Sequence, residues 1–211
     1  LAVERRDAEA TRARILAAAA EVFVESGFDG ARVDEIARRS RSNKRMIYVY
    51  FGSKEDLYVE VLRTAVGAAL SSSFQPDEGI DDPREQVAAA VRNYFNFLRD
   101  NPAYLRLLAW ENLSGGNRAG DAVLSLAASQ HEYLTAAVRR GGEQGVFRAG
   151  LDHSRLVALV AGMISSHFTD AARHAALSGT FEPVEAEVWL DTILDFVLAG
   201  IASPSDKGRS K

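Results

Sequence analysis

The sequence has no cysteine, five prolines and two methionines in 211 residues. Without cysteine, disulfide cross-links and thiolate metal sites are both excluded. No apolar run approaches the roughly 18 residues that a membrane-spanning helix needs. The opening LAVERRDAEATRARI lacks the apolar centre of a secretory leader. A cytoplasmic protein with no membrane partner is therefore expected. Alternating apolar and polar runs, the mark of half-buried strands, are nearly missing too. Two glycine-rich stretches, GGNRAG and GGEQG, follow no strand and lack the Lys-Ser/Thr ending of a phosphate loop. They read as helix ends. His131, His153, His167 and His174 have no carboxylate partners at metal spacing, and no Ser-His-Asp or paired-carboxylate pattern stands out. Neither metal, cofactor nor catalysis is expected.

What is present is helical periodicity. With 47% hydrophobic and 26% charged residues, the chain can bury a substantial core. Ile15, Ala19, Val22 and Phe23 recur at helical spacing, with Thr11 as an N-cap and Gly27 as a stop. A short second helix carries Val33, Ile36 and Ala37, and a third runs from Asn43 to Tyr50. Ser53 followed by Asp56 resembles a capping box opening a fourth. Asp82-Pro83 and Asn101-Pro102 start two more, and a helix from Asp121 to Arg140 precedes Gly141-Gly142. Leu156 to Ser165 is apolar on every side and must be covered on both faces. The final helix spans Pro183 to Ile201. The expectation is an all-α protein of about nine helices. Residues 1–53 form a head with an N-terminal arm, residues 54–202 a larger helical domain, and residues 203–211 a disordered tail.

Charge is distributed unevenly. Between Ala31 and Lys54 stand seven cations against Asp34 and Glu35, a local +5 in a chain of net −4, which leaves −9 elsewhere. One anion-facing surface on an acidic protein follows. Within it, two short helices joined by a tight turn, the second cationic at its start, have the form of a helix-turn-helix. Lys44 and Arg45 can donate to guanine, Asn43 can pair with adenine, and Met46 can meet a thymine methyl. Arg32, Tyr48, Tyr50 and Lys54 are placed for phosphates, Lys54 at a helix N-terminus. The expected partner is double-stranded DNA.

The stretch TRARILAAAAEVFVESGFDGARVDEIARRSRSNKRMIYVYFGSKEDLY resembles, nearly end to end, the DNA-binding domain of the TetR family of bacterial transcriptional regulators. Arg41 and Ser42 stand where that family usually has glycine and a small apolar residue, and Ala31 and Arg32 replace its usual threonines. The resemblance implies a homodimeric, ligand-responsive regulator, read here as a repressor of a palindromic operator. The last two helices would pair with those of a second copy, and an effector would change the spacing of the two reading heads. Phe95, Tyr104, Trp110, Asn112, Met163, His167 and Phe168 mix aromatic and polar groups as a ligand lining does, so the effector is expected to be small and apolar or aromatic. Two alternatives stay open. One is a constitutive DNA-binding dimer without effector, the other a helical-bundle enzyme or adaptor with a vestigial head.

Overall fold

The computed structural model describes residues 2–73, 79–115, 118, 120–178 and 185–204. Among the described residues there are nine helices and no strand beyond one isolated bridge. They are α1 (Ala2–Gly30), α2 (Val33–Ser40), α3 (Lys44–Phe51), α4 (Lys54–Ser73), α5 (Pro83–Asp100), α6 (Pro102–Leu113), α7 (Gly120–Glu143), α8 (His153–Ser178) and α9 (Ala186–Ile201). None is long and apolar enough to cross a membrane. Contacts divide the chain into two compact units. The first is Leu1–Ala68 with Pro102–Leu126, and the second is Ala69–Asn101 with Ala127–Lys211.

In the first unit α1 begins at Ala2, well before Thr11, and breaks at Gly27, whose φ of 66° and ψ of −176° suit glycine almost alone. Ile15, Ala19, Phe23, Ile36, Ile47, Leu57 and Tyr58 are fully buried. Each such isoleucine, leucine or phenylalanine side chain removed from water contributes about 1.5–3 kcal/mol to packing α1 to α4 around one core. Phe23 and Phe28 both meet the Tyr58 ring edge-on, at 4.8 and 5.3 Å between centroids. Burial, and then the Glu111 carboxylate, holds the Tyr58 phenol above its ordinary range. Arg12 joins α1 to α4 through Glu60 at 2.7 Å, and its guanidinium lies 5.0 Å from the centre of the Phe51 ring.

Helix α6 belongs to this unit. The Trp110 ring lies so close to Gly27 that a Cβ there would sit 2.8 Å from two of its carbons. Its indole N–H donates to the Val24 carbonyl at 3.2 Å, satisfying an acceptor in the last turn of α1. Arg118 then pairs with Asp29 at 3.2 Å and covers Phe28.

The second unit is built from α5, α8 and α9 with the end of α7. Asp82 caps α5 by accepting the Arg84 N–H at 3.0 Å, and Pro83 occupies the first turn, where its missing N–H costs nothing. Val87, Val91, Phe95 and Leu98 of α5 are buried, as are Val157, Val160 and Ile164 of α8 and Leu190, Ile193 and Val197 of α9. The Gly141-Gly142 pair does not end α7, which continues to Glu143. Gly141 instead admits Phe147, whose ring would overlap any Cβ at that position. Arg148 N–H donates to Ile201 O at 2.9 Å and Ser203 N–H to Val146 O at 3.0 Å, which ties the end of α9 to the loop before α8. Ser203, expected in a disordered tail, is thus hydrogen-bonded. Residues 205–211 of that tail, and Pro183 and Val184 of the expected last helix, lie outside the described residues.

The last two helices keep part of their apolar surface outside the chain's own core. Leu156 to Ser165 is not covered all round within the chain. Val157, Val160 and Ile164 point inward, whereas Leu159 is 65% exposed. On α9, Val188 and Phe196 are outward, Phe196 at 69% exposure, while Ile193 and Val197 are sealed in the chain's own core.

Candidate nucleic-acid interface

Helices α2 and α3 are joined by Arg41-Ser42-Asn43. Arg41 adopts φ 52° and ψ 37°, the left-handed region, and is the single non-glycine residue with positive φ among those described. The turn closes with Ser42 N–H donating to Ala37 O at 3.0 Å. Asn43 caps α3, its Oδ1 accepting the Met46 N–H at 2.9 Å. That bond uses one lone pair of the side-chain oxygen and leaves the amide NH2 for an external acceptor. Ser53 caps α4 in turn, its Oγ accepting the Asp56 N–H at 3.0 Å and donating to the Asp56 carboxylate at 2.6 Å.

Helix α3 buries Ile47 and Phe51 and turns Lys44, Arg45, Tyr48 and Val49 outward. Tyr48 is 43% exposed and Val49 66%. Met46 and Tyr50 are half-buried at the edges of the inner face. The outward face therefore includes one residue that the sequence reading passes over, Val49. Its signal is faint in sequence because valine is usually a core residue.

The local +5 is partly spent within the fold. Arg39 binds Glu25 at 2.6 Å and Glu35 at 2.7 Å, fastening α2 to α1, and Arg38 binds Glu35 at 2.6 Å. The guanidinium of Arg38, then that of Arg39, pulls the Glu35 carboxyl from 4.5 to about 2. Lys44 pairs with Asp34 at 3.1 Å. Lys54 is half-buried with its Nζ 4.5 Å from the centre of the Phe28 ring, and burial lowers its pKa. Arg32, at the N-cap of α2, Arg41 in the turn and Arg45 on α3 are exposed and have no ion-pair partner among the described residues. They are the cations available to a phosphate or a guanine.

The seven residues read as a ligand lining fall into two groups. In the second unit Phe95 contacts Phe168 at 5.0 Å and His167 at 5.6 Å between ring centres. His167 also stacks on Trp189 at 5.6 Å, and Trp189 donates to the Met163 carbonyl at 3.3 Å. Burial lowers the His167 pKa, which favours the neutral ring. Trp189 joins the cluster although nothing in its spacing marks it. Tyr104, Trp110 and Asn112 lie on α6 in the first unit, with Trp110 packed on α1 and Asn112 exposed. No group of three or more His, Asp or Glu suited to a metal occurs among the described residues.

Known proteins share this arrangement. Residues 15–61 match the family described as bacterial regulatory proteins, tetR family, and residues 83–197 match the tetracyclin repressor-like C-terminal domain. The chain is 29% identical over 206 residues to the HTH-type transcriptional repressor NicS of Pseudomonas putida, covering 94% of this chain and 96% of that protein. It is 35% identical over 162 residues to the HTH-type transcriptional repressor SCO4008 of Streptomyces coelicolor, covering 75% and 78%. The solved transcriptional regulator SCO4942 of S. coelicolor superposes with a TM-score of 0.70 at 25% identity, over 92% of this chain and 99% of that one. With a helix-turn-helix that turns arginines outward and both halves matched, the chain belongs to the TetR family of bacterial transcriptional regulators.

Proposed function

We propose that the protein is a homodimeric repressor that holds a palindromic operator through two α3 helices and leaves it when a small apolar or aromatic effector enters the helical unit of α5, α8 and α9. The observation that carries this reading is the set of exposed arginines, Arg32, Arg41 and Arg45, that have no ion-pair partner among the described residues. An acidic chain that leaves three cations unneutralised on one small face has an anionic partner for them. The two relatives above, both named as transcriptional repressors, support the sign of the response. Twofold pairing is supported by the outward apolar residues Leu159, Val188 and Phe196 of α8 and α9. A second copy covers such a face with the same face, as a symmetric contact requires. The two α3 helices must then meet half-sites about 34–36 Å apart or a multiple of that spacing.

A second reading, a dimer that binds DNA without any effector, has one observation in its favour. The rings of Phe95, His167, Phe168 and Trp189 fill the space between them by touching each other. The experiment is selection of duplexes from a random pool by the full chain, followed by titration with apolar, aromatic and charged small molecules. Enrichment of an inverted repeat, and its release by an apolar or aromatic compound, is the expected result. Failure to enrich any sequence sinks the regulator reading. Release by a nucleotide-like polyanion alone sinks the effector class, and release by nothing favours the second reading.

A further inference from the structure

Val49 is a β-branched residue, 66% exposed, in the middle of the outward face of a two-turn helix. Folding gives no reason for it. Valine is a weaker helix former than the straight-chain residues, and a valine left in water contributes little packing. Its neighbours on that face are Arg45 and Tyr48, and the turn adds the unpaired Arg41. At 100° per residue, Arg45 and Val49 stand about 40° apart around α3 and about 6 Å apart along it, the rise of roughly two base-pair steps. Met46 sits at the half-buried edge of the helix instead.

Building on the reading of the chain as a DNA-binding regulator, we propose that Val49 reads a thymine 5-methyl group in the major groove, within two base pairs of the guanine donated to by Arg45. The chemistry fits both partners. The thymine methyl is the one apolar feature in the major groove, and an apolar side chain against it distinguishes thymine from cytosine, which carries only a hydrogen at C5. The surrounding arginines bring the duplex to the face, and the isopropyl group then loses its water against the methyl. An aspartate or lysine at the same position would meet either phosphate charge or an unpaired base edge. The exposed valine is the residue that uses only shape and desolvation.

The test replaces single thymines of the selected operator by deoxyuridine, which removes the methyl group and nothing else. For the full-length wild type, one position per half-site is expected to weaken binding about four-fold, and about fifteen-fold when both half-sites are changed, the effect of uncovering one methyl-sized group in each. Val49→Ser is expected to bind the unmodified operator more weakly by a similar factor and to be indifferent to deoxyuridine at that position. Val49→Thr, which keeps one methyl group, is expected to retain the sensitivity in part. Specific operator binding with no thymine position sensitive to deoxyuridine would overturn the proposal. So would a sensitivity that persists unchanged in Val49→Ser. If the wild type enriches no duplex at all, the failure lies with the DNA-binding reading and not with Val49.

Discussion

Gly27 and Trp110 offer the sharpest perturbation of the first unit, because one substitution loads two separable costs on one atom. In Gly27→Ala the new Cβ must occupy a backbone with φ 66° and ψ −176°, where a non-glycine residue costs of order 1–3 kcal/mol. The same Cβ lies 2.8 Å from two carbons of the Trp110 ring, and forcing a methyl group into packed surroundings costs about another 1–3 kcal/mol. A combined loss of about 4 kcal/mol lowers Tm by roughly 8–16 °C in a chain of this size. Trp110→Ala alone loses a half-buried ring and its bond to Val24 O, about 2–4 kcal/mol. In the Trp110→Ala background the steric part of the Gly27→Ala cost vanishes and only the backbone part remains. The double-mutant cycle should therefore give a coupling of about 1–3 kcal/mol, with the double variant more stable than additivity predicts. Urea unfolding at one fixed protein concentration measures it, since the midpoint of a dimer depends on concentration. Additive losses would refute the docking of α6 on the end of α1. A Trp110→Ala variant with an unmoved midpoint would refute it as well, and would return Trp110 to the role of a ligand-lining residue.

Three further outcomes follow from the same geometry. Phe196→Asp should split the dimer. Covering the exposed part of that ring, roughly 140 Å², is worth about 3.5 kcal/mol per subunit, twice over in a symmetric pair; sedimentation showing a wild-type monomer at micromolar concentration ends the idea. Arg41→Gly should raise Tm by a few degrees, because it removes about 1 kcal/mol of left-handed strain, while lowering operator affinity and reducing the salt slope by about 1 per subunit; loss of both stability and binding would show that the turn needs the arginine for folding. Glu35 titrates near 2 in the folded chain against 4.5 unfolded, so its contribution is present above pH 4.5 and lost as pH falls towards 2; Glu35→Gln should flatten that part of the stability profile, and an unchanged slope between pH 4.5 and 2 would contradict the pairing with Arg38 and Arg39.

The sequence marks the head well because its boundaries rest on local chemistry. Asn43 caps α3, Ser53 and Asp56 cap α4, Gly27 breaks α1, and each of these involves residues no more than four apart. What it hides involves distance. The salt link from Arg39 to Glu25 spans 14 positions and the bond from Trp110 to Val24 spans 86, so neither α6 on α1 nor the neutralisation of Arg39 can be seen in a window of sequence. The last helix is obscure for another reason. Val188, Trp189, Leu190, Ile193, Leu194, Phe196, Val197 and Leu198 surround it, so periodicity gives no inward direction, and Ile193 and Phe196 look equally fit for a partner. Only packing separates them, Ile193 at 4% exposure and Phe196 at 69%.

Where local rules fail in the head, they fail on one surface. Arg41 holds a conformation that glycine would adopt at less cost, Val49 exposes an apolar side chain where a polar one would be better solvated, and Arg45 carries a charge with no counterion among the described residues. Each of these lowers or fails to raise the stability of the isolated chain, whereas Val22 and Val61 lie in the core of the first unit and Arg39 is held on Glu25. A set of departures scattered over the molecule would suggest only a chain above its stability threshold. Departures gathered around one two-turn helix mean that the residues there are chosen for a contact the single chain does not contain. Two of the three are cations and the third is a hydrocarbon. A phosphate-lined groove with thymine methyls in its floor is the partner that needs both.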